Sequence, residues 1–300
     1  MQPASACPFC PGHERQTPAE VLSYRNAGAA NQEGWWMRVV PNKYPALRVE
    51  GDVDAAAMGL FDRMNGIGAH EVIIETPDHE QTLSGLAEER LAHVFFAYRD
   101  RFHDLKRDGR LKYIQVFKNH GAQAGATISH AHSQLLAFPS VPPAIRAELE
   151  GAERHFAHRE RCVFCDVIHQ EREAQERMVL TTEHFVALAP YASRFPFEVM
   201  ILPRHHASHF EQASDGVIRN LGLVMQSILR RLDAVLEKPA YNFVLHTAPV
   251  QEGALRHYHW HIEILPKLTR VAGFELGTGV FVNPTAPEEA ARFLREAKIT

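Results

Sequence analysis

The apolar positions along the chain follow two periods. Leu91, Val94, Phe95, Tyr98, Phe102 and Leu105 recur every three or four residues, and so do Val217, Leu221, Val224, Ile228, Leu232 and Val235. Each set falls on one face of a helix with 3.6 residues per turn, which predicts two amphipathic helices. Shorter runs rich in β-branched and aromatic residues are bounded by turn-forming residues: EVIIETPDH (71–79), YIQVFKN (113–119), EVMILPRHH (198–206) and YNFVLHT (241–247). These read as strands. Two more strand-like runs open on paired histidines, HAHSQLLAFP from His130 and HWHIEILP from His259.

The elements come in the same order twice: Cys-x-x-Cys, strand, His, helix, strand, His-x-His. His79 and His130 are 51 residues apart, and His206 and His259 are 53 apart. A shared order of this length marks a duplication. The expected fold class is α+β: two similar halves, mostly antiparallel sheet with packed helices. The halves are predicted at 1–137 and 161–300. A connector at 138–160 begins Pro-rich, becomes charged and carries some helix. The two sheets can join edge to edge or swap elements with a partner chain, and the pattern does not choose between these.

The chain has 300 residues and is 45% hydrophobic, enough for one large core or two ordinary ones. A net charge of −4 provides no basic field for phosphate neutralisation, so general nucleic-acid binding is not expected. No apolar run approaches the roughly 18 residues of a membrane helix. The first ten residues lack a basic and an apolar signal region, which points to a cytoplasmic protein.

All four cysteines lie in two short pairs, CPFC (Cys7, Cys10) and CVFC (Cys162, Cys165). Local disulfides need an oxidising compartment, and a redox motif belongs at a βα turn. Paired thiolates of zinc sites fit best. His79 and His130 would complete the first site, His206 and His259 the second, with His205 an alternative to His206. Each Cys₂His₂ set leaves no open position, so both zincs would be structural.

In TISHAHSQLLA (127–137), strand alternation puts His130, His132 and Gln134 on one face, with neighbours about 6.6 Å apart. Two histidines at that separation are poorly placed to share one tetrahedral metal. His130 is therefore read as the metal ligand and His132 as free for chemistry. The preceding run contains Gly121, Ala122, Ala124, Gly125 and Ala126, small residues that let backbone N–H groups approach an anion. A neutral imidazole beside such a phosphate cradle can attack phosphorus. Gln134 can donate an amide hydrogen bond to a phosphoryl oxygen without adding a titrating group. In the second half, Glu263 stands where glutamine would be and would repel a phosphate. That strand reads as a degenerate copy.

The segments CPFCPGHE, VVPNKYPAL, ETPDHEQTL, FKNHGAQAGATISHAHSQ and AGFELGTGVFVNP occur in the order of the galactose-1-phosphate uridylyltransferase family, in the histidine-triad superfamily, and the chain resembles that family over nearly its whole length. The resemblance makes each half histidine-triad-like. It implies double displacement: His132 attacks the α-phosphorus of a nucleoside diphosphate sugar, a sugar 1-phosphate leaves, and a second phosphate acceptor takes the nucleotide. It also carries over Asn42 as a nucleoside contact and Asn119 and Thr127 as residues that hold nucleophile and phosphates. Phe274 and Glu275 would contact the hexose phosphate of the other subunit, so a homodimer is implied. Ala131 replaces a proline found in the best-known members, and Thr127 replaces a serine. The second Cys-x-x-Cys, GATISHAHSQ and FELGTGVFVNP are closer to the branch containing plant ADP-glucose phosphorylase. The expected activity is transfer of a uridylyl group from UDP-glucose to galactose 1-phosphate, with adenylyl transfer from ADP-glucose to phosphate as the alternative. Other classes are a histidine-triad hydrolase, which usually carries a third histidine in place of Gln134, and a non-enzymatic zinc protein.

Overall fold

The structure, a computed structural model, describes residues 3–299. The first half contains β1 (Leu22–Arg25), β2 (Trp35–Pro41), a small separate hairpin of β3 (Ala56–Met58) and β4 (Phe61–Arg63), and β5 (Ala69–Ile74). Helix α1 (Glu88–Leu105), β6 (Tyr113–His120) and β7 (His132–Phe138) complete it. The predicted connector is mostly one helix, α2 (Pro143–Arg159). The second half runs α3 (Val163–Ala174), β8 (Met178–Thr181), β9 (Phe185–Leu188), β10 (Val199–Pro203), α4 (Asp215–Leu236), β11 (Tyr241–His246) and β12 (His261–Pro266). Two helices follow, α5 (Gly273–Thr278) and α6 (Pro287–Glu296).

Ten strands form one antiparallel sheet in the order β1-β2-β5-β7-β6-β11-β12-β10-β9-β8. The order is palindromic: β6 and β11 meet at the centre, and each later strand of one half has its counterpart in the other. Tyr241 pairs with His120 and Leu245 with Val116 across this seam, so the halves join edge to edge. Both expected helices lie on one face. Their apolar stripes share a single core with the facing strands, including Phe95 and Phe102 of α1, Leu221 and Met225 of α4, Val116, Leu135, Phe243 and Ile262. The helices touch closely at Gly222, where an added Cβ would lie 2.9 Å from the Ala92 nitrogen. The Lys106–Glu211 ion pair at 3.2 Å and the Arg99–Asp215 pair at 2.7 Å tie the two halves together on this face.

Two details differ from the sequence pattern. His130 and His259 stand just before β7 and β12 rather than inside them. The chain bends ahead of each strand, so His130 and His132 need not share a face. The glutamates of EVII and EVMI also differ in place. Val72 pairs with Gln134, whereas Met200 pairs with Glu263, a one-residue change of register that shifts which side chains share a face. Glu71 consequently meets Arg101 of α1 on the helical face, while Glu198 meets Arg194, which also holds Glu263.

Candidate active site and metal centres

The candidate chemistry lies on the face opposite the two long helices. The alternation of β7 shows why. Ser133 accepts a hydrogen bond from the Tyr98 hydroxyl of α1 at 2.6 Å, so His132 and Gln134 on either side of it point the other way. They line a cavity of about 440 Å³ with Phe9, Val40, Asn42, Tyr44, Val72 and Thr127, among others. Its lining mixes apolar residues such as Phe9, Val40 and Val72 with polar ones from the N-terminal turn, the β2 end and β7, the mixed character of a small-molecule site.

His132 is 7% exposed. Its Nδ1 lies 2.8 Å from the His130 carbonyl, an acceptor, so Nδ1 carries the proton and Nε2 keeps its lone pair. Burial first, and the charge of Lys118 next, push the imidazolium down to about 4. The ring is therefore neutral at neutral pH, the state a nucleophile requires. Lys118 itself is buried beneath the strand. Its Nζ donates to the His132 carbonyl at 2.8 Å and to Glu75 Oε2 at 2.6 Å. Glu75 in turn donates its backbone N–H to the Ala131 carbonyl at 3.1 Å. The other carboxylate oxygen, Glu75 Oε1, is buried and has no hydrogen-bond partner.

Cys7, Cys10, His79 and His130 come together, as do Cys162, Cys165, His206 and His259, with their ligand atoms within 4.8 Å of one another in each set. His206, not His205, therefore faces the second pair of thiols; His205 lies outside that cluster. Cys10 Sγ lies 3.4 Å from His79 Nδ1 and 3.6 Å from His130 Nδ1. Cys165 Sγ lies 3.5 Å from His206 Nδ1 and 3.7 Å from His259 Nδ1. A tetrahedral zinc with ordinary Zn–S and Zn–N lengths separates these atoms by about 3.5 Å, so both donor sets fit that ion. The far ring nitrogens agree. His130 Nε2 faces the Thr76 carbonyl at 2.7 Å, His206 Nε2 the Leu255 carbonyl at 2.9 Å, and His259 Nε2 the Pro203 carbonyl at 2.9 Å. Each Nε2 must carry the proton, which leaves every Nδ1 lone pair aimed at the thiols. Burial and the neighbouring Cys7 push the Cys10 thiol up to about 11, a cost that a divalent cation between the sulfurs reverses.

The small-residue loop departs from a simple phosphate cradle. The N–H groups of Ala124, Gly125 and Ala126 donate to carbonyls of Gly121 and Ala122, inside the loop's own tight turn. They are not available to an anion, because the residues that let the backbone approach a ligand also let it fold on itself. Gly125 adopts a left-handed φ of 88°, and Thr127 lies on the cavity wall. Asn119 is held by the Asn242 side-chain amide at 2.8 Å, and the same amide holds the Ala124 carbonyl at 2.9 Å. Asn242, Lys118, Glu75 and His70 went unread in the sequence, because each matters through a partner on another strand. Phe274 and Glu275 sit on α5, outside the lining of this cavity; Phe274 is exposed, and Glu275 accepts the Ala272 N–H at 2.9 Å.

The second paired-histidine strand is covered. His261 is buried against Phe164 of α3, with ring centroids 5.1 Å apart, and Glu148 of α2 lies 3.7 Å from its Nε2. Glu148 also accepts from Tyr258 Oη at 2.7 Å and pairs with His246 Nδ1 at 2.9 Å. Arg194 neutralises Glu263. Ligand-type atoms of Glu148, His246 and His261 also lie within 4.8 Å of one another.

A ten-stranded sheet made of two matching halves, with a buried histidine beside a glutamine on the wall of one cavity, defines a duplicated α+β protein with a small-molecule site in its first half. The sequence matches the galactose-1-phosphate uridyl transferase N-terminal domain over residues 2–142 and the C-terminal domain over residues 148–296. The chain belongs to the galactose-1-phosphate uridyl transferase family. It is 36% identical to an ADP-glucose phosphorylase of Arabidopsis thaliana, covering 99% of this chain and 83% of the relative. It is 31% identical to a galactose-1-phosphate uridylyltransferase of Thermotoga maritima, covering 100% of this chain and 92% of the relative. A crystal structure of an Arabidopsis thaliana ADP-glucose phosphorylase with bound ADP-glucose superposes with a TM-score of 0.87 at 35% identity, covering 98% of this chain and 91% of that one. A structure of a uridylyltransferase superposes with a TM-score of 0.85 at 29% identity, covering 98% and 92%. Among the described residues, no helix is long and apolar enough to cross a membrane.

Proposed function

We propose that the protein transfers a nucleotidyl group by double displacement, with His132 as nucleophile. The observation that carries this is the tautomer of His132: Nδ1–H bonded to the His130 carbonyl and a free Nε2 lone pair at the wall of the cavity. In the first step Nε2 forms a bond to the α-phosphorus of a nucleoside diphosphate sugar, and the bond from that phosphorus to the bridging oxygen breaks. The sugar 1-phosphate leaves with the bridging oxygen. The ring becomes a nucleotidyl-imidazolium, whose Nδ1–H remains on the His130 carbonyl. Gln134 donates to a non-bridging oxygen as charge builds there. In the second step a phosphate oxygen of the acceptor attacks phosphorus, and His132 leaves as neutral imidazole. Apolar Phe9, Val40 and Val72 favour a base in the cavity, and the Asn42 amide supplies a polar contact to the nucleoside.

The two Cys₂His₂ sets would each hold a structural zinc, which would cross-link the N-terminal turn to the β7 entry and α3 to the β12 entry. Exposed Leu60, Phe61, Phe274, Leu276 and Val282 support a homodimer, because a single chain leaves these side chains in water. Asn119 and Thr127 would hold the phosphates, with Gly125 shaping the turn that carries Thr127, and Phe274 and Glu275 would reach the partner's hexose phosphate.

The relatives named galactose-1-phosphate uridylyltransferase favour uridylyl transfer to galactose 1-phosphate, with UDP-glucose as the donor. A second donor, ADP-glucose with inorganic phosphate as acceptor, is favoured by the 36% identity to the Arabidopsis phosphorylase. Intact-protein mass after brief mixing with each sugar nucleotide decides. A UMP adduct discharged by galactose 1-phosphate supports the first, and an AMP adduct discharged by phosphate supports the second. No adduct with either, and both sugars intact, contradicts the proposal.

A further inference from the structure

We propose that His70 fixes the orientation of the Gln134 amide and is a positioning residue for nucleotidyl transfer; this rests on the reading of His132 as nucleophile. β5 lies beside β7, and His70 stands opposite Leu136, two residues from Gln134 on the same face. His70 Nε2 lies 2.8 Å from Gln134 Oε1. Its other nitrogen, Nδ1, accepts the backbone N–H of Ala46 at 3.1 Å. A ring nitrogen that accepts a backbone N–H carries no proton, so in the neutral ring the proton sits on Nε2. Nε2–H can only donate, and the Gln134 atom that faces it must be the carbonyl oxygen. The amide NH₂ is thereby left to donate into the cavity that Gln134 shares with His132.

The same ring lies beside a second amide. Asn42 Oδ1 accepts the Tyr44 N–H at 2.9 Å, which places its NH₂ 3.1 Å from His70 Nε2. A protonated Nε2 offers that NH₂ no lone pair, so this contact is not a hydrogen bond in the tautomer that holds Gln134. One tautomer, held by one backbone N–H, therefore presents the Gln134 donor to an anionic, oxygen-rich substrate. Without the His70 donor the Gln134 amide can turn over, and its carbonyl oxygen would then face a phosphoryl oxygen.

The test is the single-turnover rate of adduct formation at His132, using whichever of UDP-glucose and ADP-glucose labels the unaltered protein. Five variants are compared: His70→Leu, His70→Asn, His70→Gln, Gln134→Ala, and His70→Leu combined with Gln134→Ala. Removing one preorganised donor suggests a slowing of about 10- to 100-fold for His70→Leu, with the half-saturating donor concentration changed less than about threefold. His70→Asn keeps an acceptor for Ala46 but has no donor that reaches Gln134, and it should be as slow. His70→Gln carries an amide donor near the Nε2 position and should recover most of the rate. In the Gln134→Ala background, His70→Leu should slow the reaction no further. Melting temperature and zinc content, measured alongside, identify folded variants. An unchanged rate in folded His70→Leu or His70→Asn, or a full additional loss in the Gln134→Ala background, overturns the role of His70 alone. No adduct on the unaltered protein with either sugar overturns the nucleotidyltransferase reading and this inference with it.

Discussion

β7 and β12 occupy equivalent places in the two halves and carry the same histidine pair, yet one borders a cavity and the other is buried. Around His132 the neighbours are Gln134, Asn119 and an apolar wall. Gln134 stands opposite Phe117 and Glu263 opposite Val244, so Asn119 corresponds to His246 and Lys118 to Leu245. The second half thus replaces two neutral amides with an acid and a base, and it needs Arg194 and Glu148 to balance them. Helix α2 supplies Glu148 and α3 supplies Phe164, and together they cover His261. The first half keeps a buried Lys118–Glu75 pair that grips the His132 carbonyl, where the second has plain leucine. A duplicated scaffold can keep its fold and its cysteine–histidine sets while only one copy keeps a neutral, accessible polar surface.

Exchanging the distinguishing residues should have the largest effect. Gln134→Glu puts a carboxylate beside the phosphoryl oxygens and should slow adduct formation on the order of 10²- to 10³-fold. Glu263→Gln should leave the rate within about threefold in the same quench-flow assay, because its strand faces no substrate. Comparable losses in both would remove the distinction between the halves.

Metal removal should separate them next. Cys7→Ser should lower bound zinc from two ions to one by elemental analysis and abolish turnover, since on the proposed reading His130 would be a zinc ligand, and its carbonyl orients His132. Cys162→Ser should also lose one ion, but should reduce melting temperature more than it reduces the rate measured below that temperature. Equal loss of activity would show that the second centre also shapes the reacting site.

Lys118→Met leaves Glu75 buried without its partner and should destabilise the fold by about 3–5 kcal/mol in urea unfolding. Adding Glu75→Leu should recover most of that stability, since replacing both charges by apolar groups is often neutral. The adduct rate should stay low in the double variant, because the His132 carbonyl has lost its donor. Glu148→Ala should cost less, about 1–3 kcal/mol, by leaving Tyr258 and His246 without their acceptor. Its turnover should match that of the unaltered protein at a temperature where both are folded.

The two long helices and the six strands β5, β6, β7, β10, β11 and β12 were legible because their apolar periods are regular, whereas β1–β4, β8, β9 and the shorter helices α3, α5 and α6 were not. The stripe from Leu91 to Leu105 is buried in α1, and Leu221, Val224, Ile228 and Leu232 of the second stripe are buried in α4 while its ends, Val217 and Val235, are half-buried. His132 and Gln134 were legible as neighbours because alternation needs only one strand. The four-residue metal sets could be assembled because each half spells out the same order. Pairing register was not legible. Nothing local singles out His70, whose role comes only from β5 lying beside β7, and the equivalence of Glu71 with Glu198 failed by one residue for the same reason. Lys118 reads as a surface lysine in FKNHG; only the folding of Glu75 beneath β7 makes it a buried ion pair. Residues 138–160 read as a connector, and nothing local signals that Glu148 crosses to the second paired-histidine strand.

The most direct test of the contrast is peptide mapping of the nucleotidylated protein under conditions that preserve phosphoramidates. The adduct should lie on His132, with the His261 peptide unmodified. An adduct on His261, or on any residue other than His132, would contradict the account of one open and one covered copy.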